Sequence, residues 1–230
     1  EFCLDETLQI TNTSVNADTF QWNFCIGALT GTGNASQLVD LPIQSSFGTS
    51  VIEQNDSLIV IALDNTTGDV HRIAYDLEFQ NIGANDIIGT LTPGVRNLDI
   101  RQINSEWIGF VGGGTNLEKL DFGSSITSSG FTSETITLTT PFTNIVDVEL
   151  LYENDEDYLL VLGANGADRV LSVLAFNNGI DQQPSSQNQY NITSTDNLFG
   201  ISMIREAQSW KGIVVGAQNA IHSIDFVDGL

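Results

Sequence analysis

Residues 106–123 read EWIGFVGGGTNLEKLDFG, and residues 209–226, SWKGIVVGAQNAIHSIDF, repeat the same layout. Each stretch contains a tryptophan, an apolar run, a polar turn and a second apolar run that ends in Asp-Phe. A layout that occurs twice indicates a structural unit repeated along the chain.

Two sets of landmarks give the length of this unit. The bulky residue that opens the first apolar run recurs at intervals of 49, 51 and 52 residues, and the aromatic residue that closes the second run at intervals of 47, 54 and 50. The opening residues are Leu58, Trp107, Tyr158 and Trp210, and the closing residues are Tyr75, Phe122, Phe176 and Phe226. Both sets predict a repeat of about fifty residues.

Each repeat contains four short runs that are typical of strands. In the second repeat they are 98–103, 106–112, 117–122 and 134–138, bounded by Gly, Asn, Ser and Thr. Tandem four-stranded units of about fifty residues predict an all-β fold, namely a β-propeller of four-stranded blades. The alternative is a β-sandwich whose self-similarity is accidental.

The repeats are predicted to span about 44–91, 92–140, 141–194 and 195–230. Ahead of them, SQLVDLP (36–42) resembles the ends of the fourth strands, so it is predicted to be a lone fourth strand. The last repeat has no fourth strand of its own. Two explanations stay open: residues 36–42 complete the last blade and close a ring of four, or the chain is a fragment of a larger propeller.

The charge balance excludes some classes of partner. Seven Lys+Arg against 29 Asp+Glu give a net charge of −22, which argues against nucleic acid and against an anionic membrane surface. No run of 18 or more apolar residues occurs, so no membrane-spanning helix is predicted. Any export signal is expected to have been removed.

The two cysteines, Cys3 and Cys25, both lie in the first tenth of the chain. Their confinement to one segment predicts a local disulfide and an oxidising compartment. A pair of free thiols is the alternative. A zinc site is not predicted, since no further Cys or His lies nearby.

Residues 1–35 follow a plan of their own. TLQITNTS and TFQWNFC flank a VNAD turn, which predicts a short β-hairpin ahead of the repeats. This hairpin resembles the opening of PKD-type immunoglobulin-like modules. It departs from them where Cys-Ile-Gly replaces the usual Gly-Asp-Gly.

A wider resemblance rests on the hairpin and the second repeat together. The matching residues are Trp22–Cys25, Pro93-Gly94, Asp99-Ile100, Trp107, Gly109-Phe110-Val111 and Leu120–Ser124. With them, the chain resembles the amino-terminal propeller region of large surface proteins of gliding Bacteroidetes, which the type IX secretion system exports. The resemblance implies an extracellular, cell-surface location and a non-enzymatic adhesion role. It implies as partners a glycan or protein ligand and the secretion or gliding machinery of the outer membrane.

The sequence shows no clear catalytic set, so the protein is predicted not to be an enzyme and to need no cofactor. The alternative is a secreted propeller enzyme, a glycosidase or lyase that acts on polysaccharide. Such an enzyme needs carboxylates or Arg groups that converge on the central channel. The candidates on the first strands are Asp99, Arg101, Asp147 and Arg205, and Asp99 and Asp147 are interpreted as matching repeat positions.

Two further sites are candidates. Asp155, Glu156 and Asp157 could bind calcium, since hard oxygen ligands suit that ion; a solvated acidic turn is the alternative reading of this stretch. Ser57 lies in Asp-Ser-Leu, which matches the O-glycosylation sites of Bacteroidetes proteins.

Overall fold

The structure is a computed structural model that describes residues 43, 45–76, 86–127, 130–194, 197–206, 209–217, 221–227 and 229–230. All of them belong to one compact unit, Leu38–Leu230. The hairpin and disulfide predicted within residues 1–35, and the lone strand predicted at 36–42, lie outside the described residues.

The described residues form fifteen strands in four antiparallel sheets, each built from consecutive strands. Sheet A contains β1 (Ser46–Gln54), β2 (Ser57–Asp64), β3 (Asp69–Asp76) and β4 (Asp86–Thr90). Sheet B contains β5 (Asn97–Ile103), β6 (Glu106–Gly113), β7 (Asn116–Asp121) and β8 (Thr132–Thr135). Sheet C contains β9 (Asn144–Glu153), β10 (Glu156–Asn165), β11 (Asp168–Ala175) and β12 (Ser186–Ile192). Sheet D contains β13 (Leu198–Glu206), β14 (Ser209–Gly216) and β15 (Ile221–Phe226).

This architecture confirms the predicted all-β propeller, with four blades in the described part of the chain. Over the same residues, no helix has the length and apolar character needed to cross a membrane.

The same tight turn joins the first two strands of sheets A, B and C. Its central residues are Asn55-Asp56, Asn104-Ser105 and Asn154-Asp155, all with φ between 50° and 70°. Two-residue hairpin turns with positive φ at both positions match the twist of the flanking strands, and Asn and Asp tolerate this conformation. The turn therefore fixes the register of these three blades.

Counting from this turn corrects one landmark of the sequence repeat. Trp107 is the second residue of β6, but the second residue of β10 is Asp157 rather than Tyr158. Since side chains alternate along a strand, Tyr158 packs towards sheet D whereas Trp107 packs towards sheet A. The closing aromatics do correspond, because Phe122 N–H donates to Trp107 O and Phe176 N–H donates to Asp157 O.

The sheets pack face to face in chain order, with a separate apolar core at each interface. Ile61 and Val111 belong to the core between sheets A and B. Phe110 and Phe176, whose ring centroids are 5.7 Å apart, belong to the core between B and C. Leu160 belongs to the core between C and D. Burial of such side chains contributes about 1.5–3 kcal/mol each and drives the stacking of the blades.

The first strands of consecutive sheets run alongside one another. β1 packs along β5, β5 along β9 and β9 along β13, but no comparable packing joins β13 to β1 among the described strands. The face of sheet D that turns away from sheet C is exposed: Ile204 is 66%, Ile213 is 53% and Ile221 is 70% accessible. The apolar residues of this face thus lack the cover that their counterparts have in sheets A to C.

Candidate active site

Three carboxyl groups meet on the inner strands of sheets B and C. Asp99 is on β5, and Asp147 and Glu149 are two residues apart on β9, so both point to one face of that strand. Asp99 lies five residues before the first central residue of its turn, and so does Glu149. Asn97 and Asp147 each lie seven residues before that position. The interpretation of Asp99 and Asp147 as matching positions is therefore wrong, because the similar triplets LDI and VDV are two residues out of register with the turn.

Two of these acids form the same bond between neighbouring blades. Leu150 N–H donates to Asp99 Oδ2 at 2.7 Å, and Met203 N–H donates to Glu149 Oε1 at 3.2 Å. Each acceptor thus reaches the first strand of the following sheet. Part of the role of these carboxylates is to hold the inner strands together.

Asp147 is fixed by three N–H donors. Its Oδ1 accepts from Asn97 Nδ2 at 2.6 Å and from Val148 N–H at 2.8 Å, and its Oδ2 accepts from Ile201 N–H at 2.7 Å. Burial raises the pKa of Asp147 to about 6, although the three donors oppose this shift. At neutral pH the group is mainly ionised, and Oδ2 keeps a lone pair for another donor.

Glu149 has one oxygen without a protein partner. Its Oε2 is buried and makes no hydrogen bond. Burial raises the pKa of Glu149 to about 7, against the hydrogen bond from Met203 N–H; the negative charge of Asp99 raises it further and the positive charge of Arg101 lowers it. A large fraction of Glu149 is therefore protonated at neutral pH. Because Oε1 accepts the backbone bond, the proton belongs on Oε2.

The predicted channel residues are only partly brought together. Arg101 forms an ion pair with Asp99 at 3.5 Å and so belongs to the carboxyl group cluster. Arg205 instead pairs at 3.3 Å with the buried Glu153 and lies over the ring of Trp210. Arg205 therefore makes its contacts in sheets C and D and does not join Asp99, Asp147 and Glu149.

A cavity of about 390 Å³ opens next to Asp147, where β9 and β13 begin. Val146, the neighbour of Asp147, lies in its wall. Its volume falls within the range of small-molecule sites. The described residues that line it include Arg96, Asn144, Val146, Arg169, Asn197 and Phe199.

The calcium candidate gains no support from geometry. Asp155 Oδ1 accepts a hydrogen bond from Tyr152 OH at 3.0 Å, and Glu156 Oε2 accepts one from Tyr158 OH at 2.8 Å. Glu156 and Asp157 are adjacent in β10, so their side chains point to opposite faces. In the part of the chain that the structure describes, no group of three or more His, Cys, Asp or Glu residues could hold a metal ion. Calcium binding stays a prediction from sequence.

Two other sites also stay predictions. Ser57 begins β2, and its hydroxyl donates to Asn55 O at 3.5 Å; nothing in this arrangement tests glycosylation. Cys3 and Cys25 lie outside the described residues.

Because Asp147 and Glu149 are buried, the free energy of unfolding is predicted to decrease as the pH rises. The folded-state pKa values of Asp147 and Glu149 lie above their ordinary values of 3.8 and 4.5, so folding favours the protonated forms. The stabilisation that the protonated forms contribute is fully present below about pH 4 and is lost as the pH rises through about 6 and 7. With screening by solvent considered, we expect it to be on the order of 2 kcal/mol.

The measurement is urea denaturation of the wild type and of the double variant Asp147→Asn, Glu149→Gln between about pH 4 and pH 8. The wild type should lose more unfolding free energy across this range than the variant. Equal losses in the two proteins would contradict the burial of these groups.

The fold defines the protein as a β-propeller, and the solved structures similar to it include glycoside hydrolases. A thermostable family-43 glycoside hydrolase matches with a TM-score of 0.59 and 8% identity, over 80% of this chain and 70% of the other. A GH43 beta 1,3 galactosidase matches with a TM-score of 0.57 and 11% identity, over 81% and 44%. The Bombyx mori GH32 beta-fructofuranosidase matches with a TM-score of 0.52 and 10% identity, over 76% and 43%. No protein-family model and no curated protein matches the chain.

These similarities correct two predictions from the sequence. The similarities contradict the prediction of a non-enzymatic adhesion module and the prediction that the protein is not an enzyme, because the three propellers named above are glycoside hydrolases. They favour the alternative of a propeller glycosidase, and they are consistent with a glycan ligand. At such low identity, the similarity itself shows the fold alone.

Sequence reasoning missed Glu149. The available signal was the alternation in VDVEL, which places Asp147 and Glu149 on one face of a strand. The correspondence between Glu149 and Asp99 in the repeat could be recognised only by counting from the turn.

Proposed function

We propose that the protein is a β-propeller glycosidase that hydrolyses polysaccharide, with Glu149 as proton donor and Asp147 as the carboxylate that activates water. The observation that carries the proposal is Glu149 Oε2, a buried oxygen without a hydrogen-bond partner on an inner strand. It belongs to a carboxyl group whose pKa is about 7. Glycosidases generally use two carboxyl groups of this kind, one protonated and one ionised.

The reaction assigns a separate proton transfer to each group. Glu149 gives its proton to the glycosidic oxygen as the bond from that oxygen to the anomeric carbon breaks. A water molecule forms the new bond to the anomeric carbon and passes a proton to Asp147. The products are two free hydroxyl groups. Exchange with solvent then removes the proton from Asp147 and restores the proton of Glu149, so both groups return to their starting states.

The environment of each group suits its role. Asp147 is held ionised and oriented by Asn97, Val148 and Ile201, with a lone pair left on Oδ2 for water. Glu149 is kept protonated by burial and by the charge of Asp99. Asp99 is thus a positioning residue that also favours the protonated donor.

The location and the macromolecular partners of the protein are separate proposals. A cell-surface position and export by the type IX secretion system follow from the family resemblance alone, as do contacts with the gliding machinery. A glycosidase on the cell surface would meet extracellular polysaccharide, so the two proposals are compatible.

We expect the purified protein to release reducing ends from polysaccharide with a bell-shaped pH dependence of kcat/KM. Activity requires an ionised Asp147 and a protonated Glu149, so it should rise through about pH 6 and fall through about pH 7. Since the two groups interact, the two limbs report the pair rather than single residues.

The assay measures reducing-end release from a panel of neutral and acidic polysaccharides between about pH 4 and pH 9. Failure to cleave any of them would contradict the proposed function. A single sigmoidal limb would contradict the assignment of two carboxyl groups with different protonation states.

A further inference from the structure

A second cavity, of about 350 Å³, opens between sheets B and C at the end where their hairpin turns lie. It forms where β5 runs alongside β9, and a volume of this size is enough for a small ligand. The residues that line it include Arg101, Ile103, Leu150, Tyr152 and Asp157. The first two belong to sheet B and the others to sheet C, so both blades contribute to the wall.

An exposed aromatic ring and apolar side chains form part of this wall. Tyr152 is 56% exposed, and its OH donates to Asp155 Oδ1 at 3.0 Å, which restricts the orientation of the ring. Leu150 is buried in the core between sheets B and C, and Ile103 packs against that core. A tyrosine ring held in this way offers an apolar surface to the C–H face of a sugar ring.

Arg101 supplies hydrogen-bond donors to the same cavity. Its side chain is 44% exposed, and its one ion pair within the described part of the chain is with Asp99, at 3.5 Å. A guanidinium group has five N–H donors, so most of them are left for a ligand. Because the Asp99 carboxylate balances the positive charge, these donors suit neutral hydroxyl groups better than an anion.

The charges around the cavity also favour a neutral ligand. Arg101 and Asp157 contribute one positive and one negative group to the lining. The carboxyl group of Asp157 adds hydrogen-bond acceptors. The net charge of −22 disfavours the approach of an anionic ligand. A ligand with many hydroxyl groups and an apolar ring face fits all of these features.

The cavity adjoins the carboxyl groups of the proposed reaction through two of its lining residues. Arg101 pairs with Asp99, and Leu150 N–H donates to Oδ2 of the same Asp99 at 2.7 Å. The positive charge of Arg101 also lowers the pKa of Glu149. A sugar bound in this cavity would therefore lie beside the group of acids that contains the proton donor.

We infer that this cavity binds a neutral sugar unit of the polysaccharide, which stacks on Tyr152 and accepts hydrogen bonds from Arg101. The substrate is accordingly a neutral polysaccharide. The inference rests on the proposed function, because it assigns the cavity to the substrate of Glu149 and Asp147. Arg101 binds substrate in this assignment and takes no part in proton transfer.

Binding is measured by affinity electrophoresis of the Glu149→Gln protein, which cannot donate the proton and so leaves the ligand intact. The native gels contain a linear xylan, a mannan, a galactan or a β-glucan, with polygalacturonate as the acidic probe. We expect at least one neutral polysaccharide to retard the protein, and polygalacturonate not to do so. Tyr152→Ala and Arg101→Gln, each added to Glu149→Gln, should weaken the binding about tenfold or more.

Two further variants isolate the effect of the ring. Tyr152→Phe keeps the ring and loses only the hydrogen bond to Asp155, so its binding should stay within about threefold of the parent. Tyr190→Ala is the matched control, because it removes another exposed tyrosine, on β12 and outside the lining of this cavity. Its binding should be unchanged.

Arg101 has a second readout in the active enzyme. Since its positive charge lowers the pKa of Glu149, Arg101→Gln should move the falling limb of the pH profile to higher pH while KM rises. Tyr152→Ala should raise KM without moving either limb.

The outcomes separate this inference from the proposed function. Retardation by polygalacturonate alone, by none of the gels, or to the same degree in the Tyr152 and Arg101 variants as in the parent would overturn the inference. If the wild type then still cleaves a polysaccharide, the glycosidase proposal survives alone. Retardation that depends on Tyr152 and Arg101, without cleavage of any polysaccharide by the wild type, would keep the sugar site and remove the hydrolytic role.

Discussion

Glu149→Gln is expected to lower kcat/KM on polysaccharide by about 10²- to 10⁴-fold while the protein stays folded. The glutamine Oε1 can still accept the hydrogen bond from Met203 N–H, so the contact between β9 and β13 is kept. The amide has no acidic proton for the glycosidic oxygen. The loss should be much smaller on an aryl glycoside with a good leaving group, because that substrate needs little protonation.

Glu118→Gln is a matched control for this variant. Glu118 lies on β7, away from the inner strands, and burial raises the pKa of its carboxyl group as well. Its substitution should leave kcat/KM unchanged. Glu149→Gln with activity within about twofold of the wild type, or with equal losses on both kinds of leaving group, would remove Glu149 as the proton donor.

Phe110→Ala should destabilise the protein by about 3–5 kcal/mol, whereas Ile213→Ala should cost less than about 1 kcal/mol. Both are the fifth residue of the second strand of their sheet. Phe110 is fully buried between sheets B and C and contacts the ring of Phe176. Ile213 is 53% exposed on the outer face of sheet D, so its truncation leaves no cavity.

Urea denaturation followed by tryptophan fluorescence gives both free energies of unfolding. Phe110 and Ile213 occupy the same position of the repeat. The comparison therefore tests whether this face of the sheet is buried in sheet B and exposed in sheet D. Comparable losses for the two variants would show that the outer face of sheet D is covered in solution.

The repeat was readable because its signals are local. Strand runs, Asn-rich turns and closing aromatics such as Phe122 and Phe176 recur at a near-constant spacing. These features are enough to define four-stranded units, and units that cannot bury their faces alone must stack. The register was misread at Tyr158, where a bulky residue was followed instead of the turn that sets the register, and again where Asp99 was matched with Asp147.

The sequence also indicates that the outer face of sheet D is exposed. At the third position of the second strand, Ile59 and Ile108 are buried, whereas Lys211 takes that place in sheet D and is exposed. Read with the turn register, this lysine marks the surface that no described sheet covers.

The candidate site could not be derived in the same way. The sequence by itself determined the repeat, the strands and the turns, because these depend on neighbours along the chain. Only the tertiary structure decided that Asp99, Asp147 and Glu149 lie together and that Arg101 and Tyr152 share a cavity. The pKa values of the two carboxyl groups on β9 are raised mainly by burial under neighbouring sheets, and burial depends on contacts between residues about fifty positions apart.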